Sequence, residues 1–339
     1  MKRPRVAVIG AGPWGMNHVR AVAAEPSADL VGVVDHDLAA RDRVAALAVT
    51  SLHDDADRVL ADPAVDAVII ATPAPSHAAL ACAALEAGKH VLVEKPLALS
   101  VADARRVAEC ASCTDRVAMV GQLMVFHPAL ARIRELLATA AHGRLHYIHA
   151  IRANLGRLRR EESVLWSFGP HELSMLDHLL GGVQPARVAA HGRSIAHVGV
   201  EDVVFVTLEY ATGELAHLHL SRVHPHKERV LDLVCESRLV RFDDVSQDKL
   251  RIFERGYEQP PEFTQFDEFL TLPHGDVHVP QLAMEEPLRL QLRHFTQCIT
   301  EGTAPLTSIA SGVRTVEILA AAQRSLDEGG VPVPVARGR

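Results

Sequence analysis

The sequence predicts an α/β protein: a doubly wound parallel sheet at the N-terminal end, followed by an α+β region built on a largely antiparallel, open sheet. Three observations predict it. From residue 5 to about 120, short β-branched runs alternate with alanine-rich helical stretches, the pattern of βαβ units. After Gly121 the texture changes to longer segments that alternate apolar and polar side chains, as antiparallel strands with one packed and one exposed face do. The length, 339 residues, exceeds what one hydrophobic core usually supports, so two domains are expected, residues 1–121 and 122–339.

The parallel half is read from runs at residues 5–9, 30–34, 67–71, 90–93 and 117–120. Between two of them, residues 76–87 form a helix candidate in which Ser76 caps the first turn and Gly88 closes the last. In the second half a helix over 128–140 leads into alternating strands at 146–153, 203–210, 215–222, 229–234 and 239–242. Residues 256–280, rich in Pro, Glu and aromatics, read as a long loop or arm, and helical periodicity returns over 288–300 and 311–328.

Composition excludes several functions. With 35 basic and 42 acidic side chains the net charge is −7, a field that opposes nucleic acid and anionic membranes. The basic start leads into a short apolar run that breaks into glycines, so no signal peptide is expected, and no run approaches the roughly 18 apolar residues of a spanning helix. The expected location is the cytoplasm. Five scattered cysteines speak against a disulfide framework. Cys110 and Cys113, the one close pair in sequence, lack further ligands at a suitable spacing, and no metal is expected.

Gly10-Ala11-Gly12-Pro13-Trp14-Gly15 follows the first strand and opens a helix, the context that makes a glycine motif informative. Gly10 permits the tight turn, Gly12 lets the backbone approach a pyrophosphate, and Gly15 lets helix and strand pack closely. Asp35 ends the second strand 20 residues after Gly15, where its carboxylate accepts hydrogen bonds from both adenine-ribose hydroxyls and repels a 2′-phosphate. His36 and Asp37 follow it in place of a basic residue, so the expected cofactor is NAD in a Rossmann domain.

His90-Val-Leu-Val-Glu94-Lys95-Pro96 sets a charged pair and a proline at the C-terminal end of a strand, over the crevice where a nicotinamide belongs. Together with the glycine motif, Ala71-Thr72-Pro73, Ser76-His77, Gly169-Pro170-His171, Leu179-Leu180-Gly181 and Arg293-His294-Phe295, these residues resemble the glucose-fructose oxidoreductase, inositol dehydrogenase and rhizopine catabolism (Gfo/Idh/MocA) family over nearly the whole chain. The resemblance implies that Lys95 is catalytic, that Lys95-Pro96 is cis, and that Thr72, Pro73, His77, Glu94, Lys95 and Gln122 join the glycine loop around the cofactor. It also implies His171 as the second catalytic residue. A lysine beside a cationic nicotinamide loses its proton more easily, and an imidazole titrates near working pH, so Lys95 and His171 suit proton transfer from a hydroxyl. Many members carry Asp four residues before that histidine; this chain has Ser167, which argues against an inositol dehydrogenase. A zinc-protease reading of His171-Glu172 fails because Met175 occupies the second histidine position.

The run from Asn154 to His171 looks like the branch of the family that oxidises the C3 hydroxyl of UDP-linked N-acetylglucosamine or its uronic acid. Arg152, Arg157, Arg159 and Arg160 would clamp a pyrophosphate or uronate, or else form a solvated loop paired with Glu161 and Glu162. Trp166 would stack on a sugar face. Lys227 and Arg229 sit on alternate residues and would face one pocket, although turn residues of a polar hairpin look the same. His127 is expected to line the cleft between the domains. Competing readings are another sugar or cyclitol oxidoreductase, an NAD-dependent glycosidase and a non-catalytic sensor. An open sheet face suggests a homodimer or homotetramer.

Overall fold

The apolar run Arg5–Ile9 forms β1, and its neighbours in sequence build an alternating succession of strands and helices. These are α1 (Gly15–Ala24), β2 (Asp29–Val34), α2 (Leu38–Ala45), β3 (Leu52–His53) and the single turn α3 (Asp57–Leu60). Then come β4 (Ala67–Ile70), α4 (His77–Glu86), β5 (His90–Glu94), α5 (Val101–Ser112) and β6 (Ala118–Gly121). The computed structural model describes residues 3–47, 51–139, 142–156, 158, 160–254 and 275–336.

The first sheet is parallel with strand order β3-β2-β1-β4-β5-β6, which reverses direction between β1 and β4. Its central strands are buried on both faces, as their continuous apolar runs require. Local chemistry sets the helix ends. Asp37 caps α2 by accepting from the Ala39 amide at 3.0 Å, and Ser100 caps α5 by accepting from the Asp103 amide at 3.0 Å. At Gly88, φ is +73° and the Lys89 amide reaches back to the Ala84 carbonyl, so the glycine does end α4. Ser76 does not cap it. The Ser76 hydroxyl donates to the Pro73 carbonyl at 2.8 Å and meets Thr72 Oγ1 at 2.7 Å, because the preceding residues form a 3-10 turn that turns the hydroxyl away from α4. In place of a disulfide framework there is one bridge among the described residues: Cys82 of α4 bonds Cys110 of α5 with Cα atoms 5.6 Å apart, a pairing that the sequence did not suggest and that the packing of the two helices reveals.

The following elements are α6 (Pro128–Ala138), β7 (Leu145–Leu155), α7 (Val164–Leu179), β8 (Arg187–Arg193), β9 (Val203–Glu209), β10 (Leu215–Ser221), β11 (Val223–Cys235), β12 (Leu239–Asp243), β13 (Leu250–Phe253) and β14 (Val277–His278). The chain ends in α8 (Pro287–Glu301), α9 (Ile309–Asp327) and β15 (Val333–Pro334). The second sheet runs β14-β13-β12-β11-β7-β10-β9-β8-β15 and is mostly antiparallel. Its one parallel pair, β7 with β10, arises because α7, β8 and β9 intervene before the chain returns alongside β7. Alternation holds along β9 and β10, with Val204, Val206, Leu208, Ala216, Leu218 and Leu220 buried. Most of the expected loop at 256–280 lies outside the described residues, as residues 255–274 do.

Helix α7 was not anticipated, because Gly169 and Pro170 stand in its interior. Pro170 costs the Trp166 carbonyl its i→i+4 donor, and burial of Leu165, Leu173, Met175 and Leu176 offsets that loss. The chain divides into two compact units, residues 1–127 with 285–320 and residues 128–284 with 321–339. The C-terminal return to the first unit has a plain cause. Leu288, Leu292 and Phe295 of α8 complete the apolar cluster around β1 and α1, each contributing roughly 1.5–3 kcal/mol by burial. None of the helices described is long and apolar enough to cross a membrane.

Candidate active site

The glycine loop joins β1 to α1 and is closed on two sides. At Gly10, φ is +98° and an added Cβ would lie 2.8 Å from the Ala71 carbonyl carbon; at Gly15 it would lie 1.9 Å from the Gly10 carbonyl oxygen. A Cβ at Gly12 would meet nothing within 4 Å. The glycine of the three that faces open space is therefore Gly12, in the turn just before α1, whose N-terminal N–H groups and dipole favour a phosphate. Asp35 directly follows β2, with Oδ2 accepting from the Ala11 amide at 2.7 Å and Oδ1 from the Asp37 amide at 2.9 Å. A carboxylate offers about four acceptor sites, so two bonds anchor it and others remain for ribose hydroxyls. These residues fit a dinucleotide. Arg41, which sequence reasoning passed over, folds back so that its Nη1 donates to the Asp35 carbonyl at 2.6 Å and to the His36 carbonyl at 3.1 Å.

Lys95 lies at the carboxyl end of β5, half-buried, and the Lys95-Pro96 bond is cis. Glu94 is 4% exposed, and four groups surround its carboxylate. His18 Nε2 is 2.7 Å from Oε1, the Lys95 amide donates to Oε2 at 3.1 Å, the Trp14 indole donates to the same carboxylate, and Gly121 leaves room for it where a Cβ would come within 2.8 Å. Burial alone would push the Glu94 carboxyl up, but the His18 hydrogen bond and charge, the indole and Lys95 outweigh it and hold the group below the usual carboxylate range. His18 escaped the sequence reading; the signal was a polar side chain on the apolar face of α1, one turn after Trp14.

Two residues expected at the cofactor have their polar atoms engaged within the protein. His77, 1% exposed, ties the carbonyls of Thr72 and Pro96 through its two ring nitrogens, each at 2.8 Å, and so clamps together the turns after β4 and β5. Gln122 donates to Thr315 Oγ1 at 3.2 Å and accepts from Ser311 Oγ at 2.9 Å, which turns its amide toward α9. Thr72 and Pro73 remain partly or well exposed, and His127 is buried at 3% where it closes a 3-10 turn.

In the second unit, α7 carries Trp166, Ser167 and His171, of which His171 is half-buried. The Trp166 indole donates to Gln323 Oε1 at 3.1 Å. Ser167 Oγ accepts from Arg222 Nη2 at 3.0 Å, and the Arg222 guanidinium stands 3.9 Å from the buried Asp202. Beside His171, Glu172 accepts from Arg152 Nε at 2.6 Å, both side chains being under a tenth exposed. Burial pushes the Glu172 carboxyl up, against the charge and hydrogen bond of Arg152. Arg152 is thus the internal partner of a carboxylate.

Arg229 lies across the ladder from Arg152 and bonds Asp244 at 3.0 Å. Lys227 is exposed, and the ladder shifts register between Val223 and Glu228, so the simple alternation expected of Lys227 and Arg229 is interrupted. Asn154 is half-buried near the end of β7. Arg157 and Arg159 lie outside the described residues. The buried pairs Arg152–Glu172 and Arg222–Asp202 were not foreseen, since sequence separation hides which strands bring them together.

Comparison with known proteins agrees with this geometry. Residues 4–122 match the oxidoreductase family with an NAD-binding Rossmann fold, and residues 130–240 match the GFO/IDH/MocA C-terminal domain. The chain is 25% identical to scyllo-inositol 2-dehydrogenase (NAD(+)) of Bacillus subtilis (strain 168), over 97% of this chain and 95% of the relative. It is 29% identical to UDP-N-acetylglucosamine 3-dehydrogenase of Acidithiobacillus ferrooxidans, over 94% and 95%. The solved structure of that enzyme aligns with a TM-score of 0.84 over 97% of this chain and 99% of its own, at 26% identity. A protein of gentamicin A biosynthesis, solved in complex with NAD, aligns with a TM-score of 0.83 at 27% identity over 99% and 97%. The likeness spans both halves of the chain, which belongs to the GFO/IDH/MocA oxidoreductase family, the NAD-dependent dehydrogenases of sugars and cyclitols.

Proposed function

We propose that this protein oxidises the C3 hydroxyl of a nucleotide-linked amino sugar, or of its uronic acid. The observation that carries the reading is the Glu94-Lys95 pair at the carboxyl end of β5, in the sheet whose glycine turn and Asp35 fit a dinucleotide. When bound, NAD supplies the hydride acceptor. Lys95 donates a hydrogen bond to the substrate hydroxyl oxygen, and His171 takes the hydroxyl proton as general base. With Ser167 one turn before it, His171 works without the carboxylate that many relatives of this fold place there. Trp166 offers a flat apolar face to a sugar ring, and Asn154, Arg157, Arg159, Lys227, Arg229 and His127 bind the polar remainder.

The full-length likeness to UDP-N-acetylglucosamine 3-dehydrogenase supports the nucleotide sugar. A likeness of equal extent to scyllo-inositol 2-dehydrogenase supports a cyclitol as the second reading. The deciding experiment offers NAD with UDP-N-acetylglucosamine, its uronate and scyllo-inositol in separate assays, following NADH absorbance and identifying the ketone by mass spectrometry. A 3-keto nucleotide sugar is expected. NADH formation with scyllo-inositol alone overturns the nucleotide-sugar reading in favour of the cyclitol. The outward face of the second sheet exposes Tyr147, Phe205 and Leu215, which supports pairing of two subunits through it, checked by light scattering.

A further inference from the structure

One buried carboxylate connects the glycine loop to Lys95. Glu94 is reached from α1 by His18 and from the loop by the Trp14 indole, and it receives the amide of Lys95 itself. His18 is 1% exposed, and its ring lies edge-on to Trp14 with centroids 6.0 Å apart, so the imidazole is fixed on one side while its Nε2 addresses Glu94 on the other. The bond spans elements 76 residues apart in sequence. A buried carboxylate that lost this partner would turn toward the nearest remaining cation, which is Lys95.

We propose that His18 is a positioning residue for the reaction: it fixes the Glu94 carboxylate so that Oε2 holds the backbone of Lys95, and thereby sets the placement and charge environment of the Lys95 amine. The inference rests on the reading of Lys95 as the catalytic amine. It also gives α1 two tasks, since the helix that receives the pyrophosphate at its N-terminus carries, one turn further on, the group that orients the catalytic strand end. The pair is an internal coupling, not a ligand site: both partners are buried and neither faces solvent.

The test compares His18→Met and His18→Asn, neither of which brings a donor within reach of Glu94, with His18→Gln, whose amide nitrogen takes the place of Nε2. Lysine reactivity is read by acetic anhydride labelling and peptide mass spectrometry, with the exposed Lys227 as internal reference, and thermal melting reports folding. In His18→Met and His18→Asn, Lys95 is expected to label at least about threefold more slowly than in the parent near pH 8, because the released carboxylate keeps its proton on; threefold corresponds to about half a pKa unit. His18→Gln restores the parent rate.

Unchanged Lys95 labelling in a folded donorless variant, or equal loss in Met, Asn and Gln variants, overturns the role of His18. Lys95→Ala is assayed beside them for NADH formation. Full turnover there removes Lys95 from the mechanism, a failure of the functional reading that is distinguishable from a failure of the positioning role.

Discussion

Arg222 Nη2 donates to Ser167 Oγ across 3.0 Å, so a buried guanidinium stands at the α7 position one helical turn before His171. Where a carboxylate would raise the proton affinity of a histidine four residues on, this chain presents a hydroxyl tied to a cation. Ser167→Asp is expected to move the acid limb of the kcat/KM profile to higher pH by up to about one unit, since an opposite charge favours the imidazolium. An unshifted limb would mean that Arg222 and Asp202 absorb the new charge completely, and that His171 does not feel position 167.

Removing either acid/base candidate tests the mechanism directly. Lys95→Ala and His171→Ala are each expected to lower turnover at least ~100-fold while leaving NAD affinity nearly unchanged. Equilibrium binding of NADH, read by its fluorescence, separates the two effects. Unimpaired turnover in either variant removes that residue from the chemistry.

The glycine loop yields a paired prediction. Gly15→Ala would bring a methyl within 1.9 Å of the Gly10 carbonyl oxygen, and it is expected to destabilise the first unit markedly. Gly12→Ala places its methyl in open space, so melting should stay within about 0.5 kcal/mol of the parent. Its NAD affinity should nonetheless fall about tenfold or more, 1.4 kcal/mol, because the methyl occupies the approach of the phosphate. Parent-like NAD binding in Gly12→Ala would place the pyrophosphate elsewhere.

Arg152 and Glu172 are paired in a site that admits almost no water. Breaking the pair with Arg152→Ala should cost about 3–5 kcal/mol, measured by urea unfolding, because it strands a buried carboxylate. The double variant Arg152→Met with Glu172→Leu should recover most of that loss, since apolar side chains of similar volume need no counter-charge. Failure of the double variant to recover would assign the pair a wider role, through Arg229 across the ladder.

Two histidines predict how stability responds to acid. Burial, then the charge of Arg116, pulls His90 down to about 4; burial, then Arg134, does the same to His178, also to about 4. Unfolded histidine titrates near 6.5. Between these values the unfolded chain binds protons that the folded chain refuses, so stability is complete above about pH 6.5 and falls as pH drops toward 4. His90 Nδ1 accepts from the Val117 amide at 2.9 Å, which opposes its protonation further. His90→Asn keeps an acceptor there and should flatten the acid limb of the unfolding midpoint; an unaltered limb would assign the acid loss to other groups.

Much of the first unit was legible in the chain. The strands near residues 5, 30, 67, 90 and 118 are short apolar runs between turn residues, and a doubly buried parallel strand looks like little else in sequence. The glycine spacing and Asp35 were equally readable, because backbone clearance and a strand-end carboxylate are local requirements. Helix α7 was less so: Gly169 and Pro170 read as a break, and only burial of its apolar face keeps it helical. The edge strand β15 was missed because it is two residues long and has no period of its own, and its neighbour β8 was missed with it.

The sequence by itself determined the two kinds of sheet and the dinucleotide turn, since each follows from spacing along one stretch of chain, while Lys95 and His171 stand as candidate proton-handling groups through the resemblance to the family. Tertiary structure alone decided that Glu94 leans on His18, that Arg152 answers Glu172 while Arg222 reaches Ser167, that Cys82 meets Cys110, and that α8 returns to the first unit's core. The physical reason is desolvation: a charge or thiol buried far from its neighbours in sequence takes whatever partner packing delivers, and that choice is made in space, not along the chain.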